Sequence, residues 1–319
     1  MDRYDTRLRR PEDGVLSLAP FGVPLRVDVS ATNGLAALDR AFEGWAIEDR
    51  STRPAIRLRI EQSDRLAGTE PARVRVRGSV VAVDGPGVSA WADPTAGLAS
   101  CCISSDYLAL PCRLREEVLD PLVLAMVAWR DRAPIHASAF LADGVALLLA
   151  GRSGAGKSCL ATAADRAGFQ ILSDDTVYVQ LKPRLRVWGW PRNAHLLPAD
   201  AVGAAGPPRV RNGKLKQVVN LRSATRRPIS ADRAALCVLA GGEHLSLSRI
   251  GPDAVLNRLF PLDPGFDMLP GQISQAVRAL TCRGAWELRL GADPAGAVQF
   301  LSENLPLLVE SAAPGCRAR

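Results

Sequence analysis

The sequence predicts an α/β fold built on a mixed sheet, preceded by a small α+β domain. Three observations lead to this prediction. A fully apolar run, Val145–Ala150, is followed by a glycine-rich segment and the helix-forming stretch Cys159–Ala167, which gives the order strand, loop, helix. The Asp143-Gly144 pair separates this run from an earlier apolar run, which predicts a β-hairpin and an antiparallel neighbour. Short alternating segments fill the first 113 residues, as expected for a separate β-rich module.

The N-terminal domain, residues 1–113, is predicted to contain half-buried strands and one helix. The predicted strands are Val15–Leu18, Pro24–Val29, Ala55–Glu61 and Val74–Val83. Gly34–Trp45 has apolar residues at helical spacing. The adjacent Cys101 and Cys102 are interpreted as small buried residues at the end of a loop, with a redox pair as the alternative. No residue group here indicates chemistry, so the domain is interpreted as an accessory for packing or partner binding.

The second domain, residues 114–319, is predicted to begin with the helix Leu114–Trp129 and to alternate strands with helices. Its predicted strands are Ile135–Leu141, Val145–Ala150, Phe169–Leu172, Thr176–Leu181, Leu185–Trp190, Gln217–Leu221, Ala235–Leu239 and Trp286–Leu290. Its later helices are predicted near Asp253–Leu259, Ile273–Thr281 and Ala295–Leu308. Gly203–Pro208 is rich in glycine and proline.

Composition and charge argue against several classes of protein. Hydrophobic residues make up 47% of the 319 residues and charged residues 23%, as in a globular protein. The first residues lack the apolar core of a secretory signal, and the apolar runs are too short to cross a bilayer. We therefore expect a cytoplasmic protein with no membrane partner. The net charge is +7, but arginines alternate with apolar residues, as in Arg57–Ile60, so nucleic acid is not an expected partner.

The glycine-rich segment has the pattern of a phosphate-binding loop. Its residues are Gly151, Arg152, Ser153, Gly154, Ala155, Gly156, Lys157 and Ser158, followed by Cys159. They match G-x-x-x-x-G-K-[ST], in which backbone N–H groups surround the phosphates of a nucleoside triphosphate. In this pattern Lys157 reaches the outer phosphates and the Ser158 hydroxyl ligates Mg²⁺. The alternative is a glycine-rich turn that binds no anion.

Lysine is rare in this chain, which has only four lysines among its 40 Lys and Arg residues. One of them is Lys157, where a compact ammonium group has a chemical purpose that a planar guanidinium does not serve. Two others, Lys214 and Lys216, lie close together in a Gly-Lys-Leu-Lys segment. They are interpreted either as further phosphate contacts or as residues of a surface turn.

Two adjacent carboxylates, Asp174 and Asp175, end a short segment that begins with the apolar residues Ile171 and Leu172. Asp174 stands 17 residues after Lys157. One carboxylate can complete the Mg²⁺ site that Ser158 begins, and the other can accept the proton of an attacking hydroxyl. Ser-Asp-Asp is also good turn chemistry, which is the alternative. If the predicted hairpin forms, His136 lies beside Gly151 and can orient the acceptor hydroxyl or share its proton; a structural histidine is the alternative.

Together these residues resemble the HPr kinase/phosphorylase family and its HPr-kinase-like serine kinase relatives. The resemblance covers residues 134–180. It rests on Ile135–Ala139, the Asp143-Gly144 turn, the phosphate loop, the Gly168-Phe169 break and Leu172–Val177. Val187–Pro191 and Gly213–Lys216 are similar to the relatives more weakly.

The resemblance implies a P-loop kinase domain with a mixed sheet, related in fold to phosphoenolpyruvate carboxykinases. It also implies ATP and Mg²⁺ as cofactors and a serine on a protein or peptide as the acceptor. Carried over by position, His136, Asp174 and Lys157 are implied to be catalytic, and Ser158 and Asp175 to hold Mg²⁺; the roles of the two aspartates can be exchanged. Relatives are commonly hexameric, so a homo-oligomer is left open.

The chain also departs from this family. The segment Arg184–Asn193 has no glutamate, where HPr kinases have a glycine-rich, glutamate-containing segment. The chain is more similar to kinases of peptide-modification clusters, such as those that phosphorylate the C-terminal serine of lasso precursor peptides. We therefore expect a serine kinase acting on a protein or peptide, including ribosomally made precursor peptides. The alternatives are a non-catalytic ATP-binding subunit of a modification or regulatory complex and a small-molecule kinase.

Overall fold

A computed structural model of the chain describes residues 14–30, 38, 40–42, 45, 53–64, 68, 70–190, 193–201, 203, 205–211, 214–222, 229–262 and 267–314. The chain divides into two compact units, Met1–Arg130 and Asp131–Arg319. This division places residues 114–130 with the first unit, whereas the sequence interpretation assigned them to the second. The predicted helix Gly34–Trp45 lies largely outside the described residues.

The first unit is built on one seven-stranded sheet. Its strands are β1 (Val15–Leu18), β2 (Leu25–Val29), β3 (Ile56–Ser63), β4 (Arg73–Arg77), β5 (Val80–Gly85), β6 (Val88–Asp93) and β7 (Leu98–Ser104). Their spatial order is β1-β2-β3-β7-β6-β5-β4, with parallel pairing of β3 to β2 and β7 and antiparallel pairing elsewhere. Buried and more exposed residues alternate along β3 and β6, because successive side chains of a strand point to opposite faces.

Two sequence interpretations of the first unit are corrected. The segment Val74–Val83 is not one strand but parts of β4 and β5, joined by a turn in which Gly78 has φ of 61°. A positive φ favours glycine, which has no Cβ to clash with the backbone. Cys101 and Cys102 lie within β7 rather than at the end of a loop. Cys101 is buried, and this burial raises the pKa of its thiol above the ordinary range.

The predicted helix Leu114–Trp129 is confirmed. It consists of α2 (Pro111–Leu114), a π-helical turn (Arg115–Leu119) and α3 (Asp120–Ala128), which follow one another without a break, and the short helix α1 (Ser105–Leu108) precedes it. Helix α3 contacts β5 and β6 and buries both Leu122 and Met126. These contacts explain why the segment clusters with the first unit.

The second unit contains three sheets and five helices among its described residues. Its strands are β8 (Ala133–Ile135), β9 (Ala137–Ala142), β10 (Val145–Ala150), β11 (Gln170–Ser173), β12 (Val177–Gln180), β13 (Arg186–Gly189), β14 (Ala194–Leu196), β15 (Ala205–Arg211), β16 (Lys214–Val219), β17 (Ile229–Ala231), β18 (Arg233–Gly241), β19 (Ser246–Ile250), β20 (Ala285–Leu290) and β21 (Ala313–Pro314). Its helices are α4 (Lys157–Arg166), α5 (Pro252–Leu259), α6 (Pro270–Leu280), α7 (Pro294–Glu303) and α8 (Leu305–Ser311). The longest of these described helices, α6, has 11 residues, and none is long and apolar enough to span a membrane.

The central sheet is mixed, as predicted. Its order is β11-β9-β10-β18-β20-β19, with β21 pairing to β18. Strands β10, β18 and β20 are parallel, whereas β9 pairs antiparallel with β10 and β11. The predicted hairpin is confirmed: Ala142 pairs with Val145, and the turn residues Asp143 and Gly144 both have positive φ, 48° and 73°. Two smaller sheets have the orders β17-β13-β12-β8 and β14-β16-β15.

Strand β10 is buried along its whole length because both faces of the central sheet are covered. Ala146, Leu148 and Ala150 belong to the core that includes residues of α5 and α6. Val145, Leu147 and Leu149 belong to the core on the other face, with residues of α4 and α7. The loop after β10 therefore starts from a strand that is buried throughout.

Two long elements predicted in this unit are divided. The predicted strand Ile135–Leu141 is two strands, because β8 joins the four-stranded sheet and β9 the central one, with His136 between them. The predicted helix Ala295–Leu308 is the two helices α7 and α8, with Asn304 between them. Pro306 contributes to this break, because proline lacks the N–H of a helical hydrogen bond and clashes with the preceding turn. The segment rich in glycine and proline contributes to β15.

Gly189 on β13 approaches the strand that precedes the two aspartates. A Cβ at this position would lie 2.2 Å from the main-chain oxygen of Leu172. We expect Gly189→Ala to lower the free energy of unfolding by about 1–3 kcal/mol, because the backbone of β11 must move to make room. Urea denaturation measures this change. Gly241→Ala is the control, since a Cβ there meets nothing within 4 Å; equal stability of the two variants would contradict the prediction.

Candidate active site

The glycine-rich loop connects β10 to α4, so the order strand, loop, helix is as predicted. Strand β10 ends at Ala150 and α4 begins at Lys157, two residues before the predicted start. Gly154 and Gly156 have φ of 91° and 94°, which only glycine adopts readily. Gly156 is the N-cap of α4, and a Cβ there would lie 3.2 Å from the Leu290 side chain. The first N–H groups of α4 lack intrahelical partners and favour an anion at this end of the helix.

Lys157 is a buried cation in the first turn of this helix, with 6% of its surface exposed. Its Nζ donates to the main-chain oxygens of Gly151, at 2.7 Å, and Arg152, at 3.0 Å. The ammonium group is therefore held against the start of the loop. This arrangement folds the loop around the lysine and places a positive charge within it.

Asp174 directly follows β11 and is almost fully buried, with 5% of its surface exposed. The Ser138 hydroxyl donates to Oδ1 of this carboxylate at 3.1 Å and contacts its main-chain oxygen at 2.5 Å. The Ser158 hydroxyl and the main-chain N–H of His195 also hydrogen-bond the carboxylate. The Asp174 carboxylate thus accepts hydrogen bonds from residues of β9, α4 and β14.

The pKa of Asp174 is raised from 3.8 to about 6, mainly by burial. The charge of Asp175 contributes to this rise, while the hydrogen bonds from Ser158, Ser138 and His195 oppose it. A carboxylate that loses water without gaining a cationic partner is expected to retain its proton to higher pH. The site therefore holds an acid whose ionised form a bound cation would favour.

This pKa shift predicts how Asp174 affects stability. Between pH 3.8 and about 6 the native state keeps the proton of Asp174, whereas the unfolded chain has released it. The stabilisation that Asp174 contributes is therefore full below pH 3.8 and is lost as the pH rises through 6. In metal-free buffer we expect the free energy of unfolding, relative to that of Asp174→Asn, to fall over this range by on the order of 3 kcal/mol. Urea denaturation at several pH values measures the difference. A difference that is constant with pH would contradict the shift.

Asp175 and His136 form the exposed side of the same site. The side chain of Asp175 is 66% exposed, and its Oδ1 lies 3.7 Å from Nε2 of His136. His136 lies at the break between β8 and β9, next to Ala137, which pairs with Ala150. The prediction that His136 and Gly151 lie beside each other is confirmed by this register and by the cleft that both residues line.

The contacts pair the site residues differently from the roles carried over by resemblance. Ser158 contacts the buried Asp174, and His136 lies beside the exposed Asp175. The resemblance grouped Ser158 with Asp175 and His136 with Asp174. Asp174 and Asp175 lie at a bend directly after β11, which buries the first side chain and leaves the second exposed. The contacts thus favour the exchanged assignment.

A small cleft of about 30 Å³ opens next to His136 and the start of the loop. Its lining residues are Pro134, Ile135, His136, Gly151, Arg152, Leu259, Pro261, Leu262 and Ile273. Leu259, Leu262 and Ile273 give the cleft apolar side chains, and His136 and Arg152 give it polar ones. The cleft therefore adjoins the start of the loop on the face of the sheet that α5 and α6 cover.

The other predicted phosphate-binding residues remain predictions. Ser153 and Ala155 lie in the loop, and Cys159 is half-buried in the first turn of α4. Burial, followed by the charges of Asp200 and Asp174, raises the pKa of the Cys159 thiol. Lys216 is half-buried on β16, and the side chain of Lys214 lies outside the described residues.

Sequence reasoning placed Ser138 on the strand of His136 but missed its hydrogen bond to Asp174. It also missed the main-chain N–H of His195, because backbone donors leave no signal in a sequence. Among the described residues, no group of three or more His, Cys, Asp or Glu side chains has the geometry of a metal site. A site made of Ser158, one aspartate and nucleotide phosphates would not form such a group.

Comparisons with known proteins give only distant similarity. No protein-family model matches the sequence, and a search of curated proteins finds no significant match. Among solved structures, the chain is similar to the Hpr(Ser) kinase/phosphatase from Coxiella burnetii, at 14% sequence identity and a TM-score of 0.27. The match covers 56% of this chain and 98% of that chain. At this level of similarity, function has to be argued from the site residues.

Proposed function

We propose that this chain is an ATP-dependent kinase that phosphorylates a serine hydroxyl on a protein or peptide, with ribosomally made precursor peptides among its acceptors. One observation carries the proposal: two carboxylates and a histidine lie beside a segment with the pattern of a phosphate-binding loop. Ser158 hydrogen-bonds Asp174, and His136 lies 3.7 Å from Asp175. A protein that only binds nucleotide needs neither a proton acceptor nor a histidine beside its phosphates, whereas phosphoryl transfer to a hydroxyl uses both.

The residues present fit ATP and Mg²⁺. The loop 151–156 and the start of α4 offer backbone N–H groups, and Lys157 offers a buried ammonium, to the phosphates. Ser158 and Asp174 offer oxygen ligands, which suit Mg²⁺ because it binds one or two protein groups and takes its remaining ligands from phosphates and water. The raised pKa of Asp174 is consistent with this role, since a bound cation stabilises the ionised carboxylate. When bound, ATP would supply the phosphoryl group and Mg²⁺ would offset its negative charge.

On this proposal Asp175 accepts the proton of the acceptor serine. Its exposure allows a hydroxyl to approach, and His136 lies close enough to orient that hydroxyl or to share the proton. Lys157 stabilises the negative charge on the phosphates during transfer. The roles of the two aspartates are thus exchanged relative to those that the family resemblance implies.

Incubation with ATP, Mg²⁺ and serine peptides tests the function. The peptides include those encoded beside the gene for this chain, and mass spectrometry detects phosphoserine while a coupled assay detects ADP. We expect one phosphoserine for each ADP formed, and loss of both products when EDTA removes the metal. Nucleotide binding without either product would overturn the proposal and favour the non-catalytic ATP-binding subunit. ADP formed only with a small alcohol as acceptor would favour a small-molecule kinase.

A further inference from the structure

A buried glutamate outside the proposed catalytic site is shared by two arginines. Glu287 on β20 is 3% exposed. Its Oε1 accepts a hydrogen bond from Nε of Arg289 at 2.9 Å, and its Oε2 contacts the guanidinium of Arg258 on α5. One arginine would be enough to balance the charge of this carboxylate. Two guanidinium groups and one carboxylate therefore give the cluster a net charge of +1.

Both arginines present unused donors to solvent. The side chain of Arg258 is 41% exposed and that of Arg289 is 56% exposed. Each guanidinium carries five N–H donors, and Glu287 can accept only some of the ten. In the part of the chain that the structure describes, no second carboxylate pairs with either arginine. The cluster therefore has the charge and the hydrogen-bond donors to bind an anion.

Strand register places this cluster beside the phosphate-binding loop. Glu287 pairs with Val238, and Val238 pairs with Ala150, the residue before the loop. Two strand spacings, about 10 Å, therefore separate the backbones of Ala150 and Glu287. Strand β20 runs parallel to β10, with β18 between them. Arg289, two residues after Glu287, therefore lies towards the carboxyl ends of these strands, where the loop begins.

The cluster lies on the side of the sheet that carries the cleft beside His136 and Arg152. Ala285, two residues before Glu287, belongs to the core under α5 and α6, and so do Ala150 and Val238. Leu259, the neighbour of Arg258, lines the cleft together with His136 and Arg152. Helix α4 packs against the other face. The anion-binding groups are thus next to the cleft rather than behind the loop.

We propose that Arg258 and Arg289, held in place by Glu287, bind an acidic side chain of the acceptor peptide close to the phosphorylated serine. This inference rests on the proposed kinase function and adds a substrate class to it, namely serine in an acidic sequence. Arginine binds carboxylates through paired hydrogen bonds, which fixes orientation as well as charge. The net charge of +7 on the chain favours the approach of such a peptide.

Two measurements with matched peptides test the inference. Fluorescein-labelled peptides have one central serine and either aspartates or asparagines at the flanking positions. Fluorescence anisotropy measures their affinity, and mass spectrometry measures kcat/KM at saturating Mg-ATP. We expect the aspartate peptide to be favoured roughly tenfold or more in both measurements. We expect Arg289→Gln and Arg258→Gln each to bring this ratio close to one, because each variant keeps one arginine on Glu287 but loses the pair.

Arg278→Gln is the matched control, since Arg278 is an exposed arginine of α6 that pairs with Asp253. It is expected to keep the full preference for aspartate. Thermal unfolding shows whether the Arg258 and Arg289 variants are folded. Equal binding of the two peptides by the wild type overturns the inference, whether or not transfer occurs. A higher KM for ATP in the variants with an unchanged peptide ratio also overturns it, because the arginines then serve the nucleotide. A binding preference without any phosphoserine supports the anion site and overturns the kinase function instead.

Discussion

Replacing Lys157 by methionine is expected to lower kcat/KM for phosphoserine formation by about 10²–10³-fold. Methionine keeps most of the length of the side chain but removes the ammonium group, which donates to the main-chain oxygens of Gly151 and Arg152. In the proposed complex this charge offsets the negative charge of the phosphates, and the buried location strengthens the interaction. Mass spectrometry of the phosphorylated peptide measures the rate of transfer, and binding of a fluorescent ATP analogue measures the affinity for nucleotide.

Lys157→Arg tests whether the requirement is for charge or for shape. A planar guanidinium does not fit a cradle formed for a compact ammonium, so we expect this variant to lose most of the activity as well. Lys182→Met is the matched control, because Lys182 is exposed and lies outside the loop. Thermal unfolding identifies any variant that has lost its fold. A folded Lys157→Met protein with the activity of the wild type would overturn the role of this lysine.

The sequence predicts the central features of the second unit because those features are encoded locally. An Asp-Gly pair between two apolar runs specifies a hairpin, and Asp143 and Gly144 adopt the positive φ values that this turn requires. The glycines of the loop and the helix-forming residues after Lys157 specify the next two elements in the same way. The hairpin in turn predicts that His136 lies near Gly151.

Features that depend on distant residues are not predicted. The run from Ile135 to Leu141 looks like one strand, but the pairing of β8 with β12 and of β9 with β10 divides it at His136. The sheet that a strand joins depends on contacts with distant residues, which the sequence of the strand alone does not reveal. In the first unit, β6 and β7 follow short turns, and their sequences do not predict strands.

The roles of the two aspartates depend on a register that the sequence does not reveal. The bend after β11 places the side chain of Asp174 against Ser158 and leaves that of Asp175 exposed. Strand β11 pairs with β9 through an irregular register between Ile171 and Ser173, and this pairing brings Asp174 to Ser138. The acidic pair was therefore recognisable, whereas the identity of the buried member was not.

Replacing Asp175 by asparagine is expected to lower kcat for phosphate transfer by about 10²–10⁴-fold while leaving Mg-ATP binding unchanged. Asparagine keeps the size of the side chain but cannot accept the proton of the serine. Asp174→Asn should give a different result, because the proposed Mg²⁺ ligand is lost. We expect this variant to need a higher Mg²⁺ concentration for half-maximal activity and to have a lower rate of transfer. Titration with Mg²⁺ at fixed ATP and a binding assay with a fluorescent ATP analogue separate the two variants.

Asp253→Asn is the matched control for both aspartate variants, because the Asp253 side chain is 82% exposed and belongs to a surface pair with Arg278. It should retain the activity of the wild type. The opposite pattern, in which Asp174→Asn abolishes transfer with unchanged Mg²⁺ dependence and Asp175→Asn shifts that dependence, would restore the roles implied by the family resemblance. Full activity in both variants would exclude both carboxylates from the reaction.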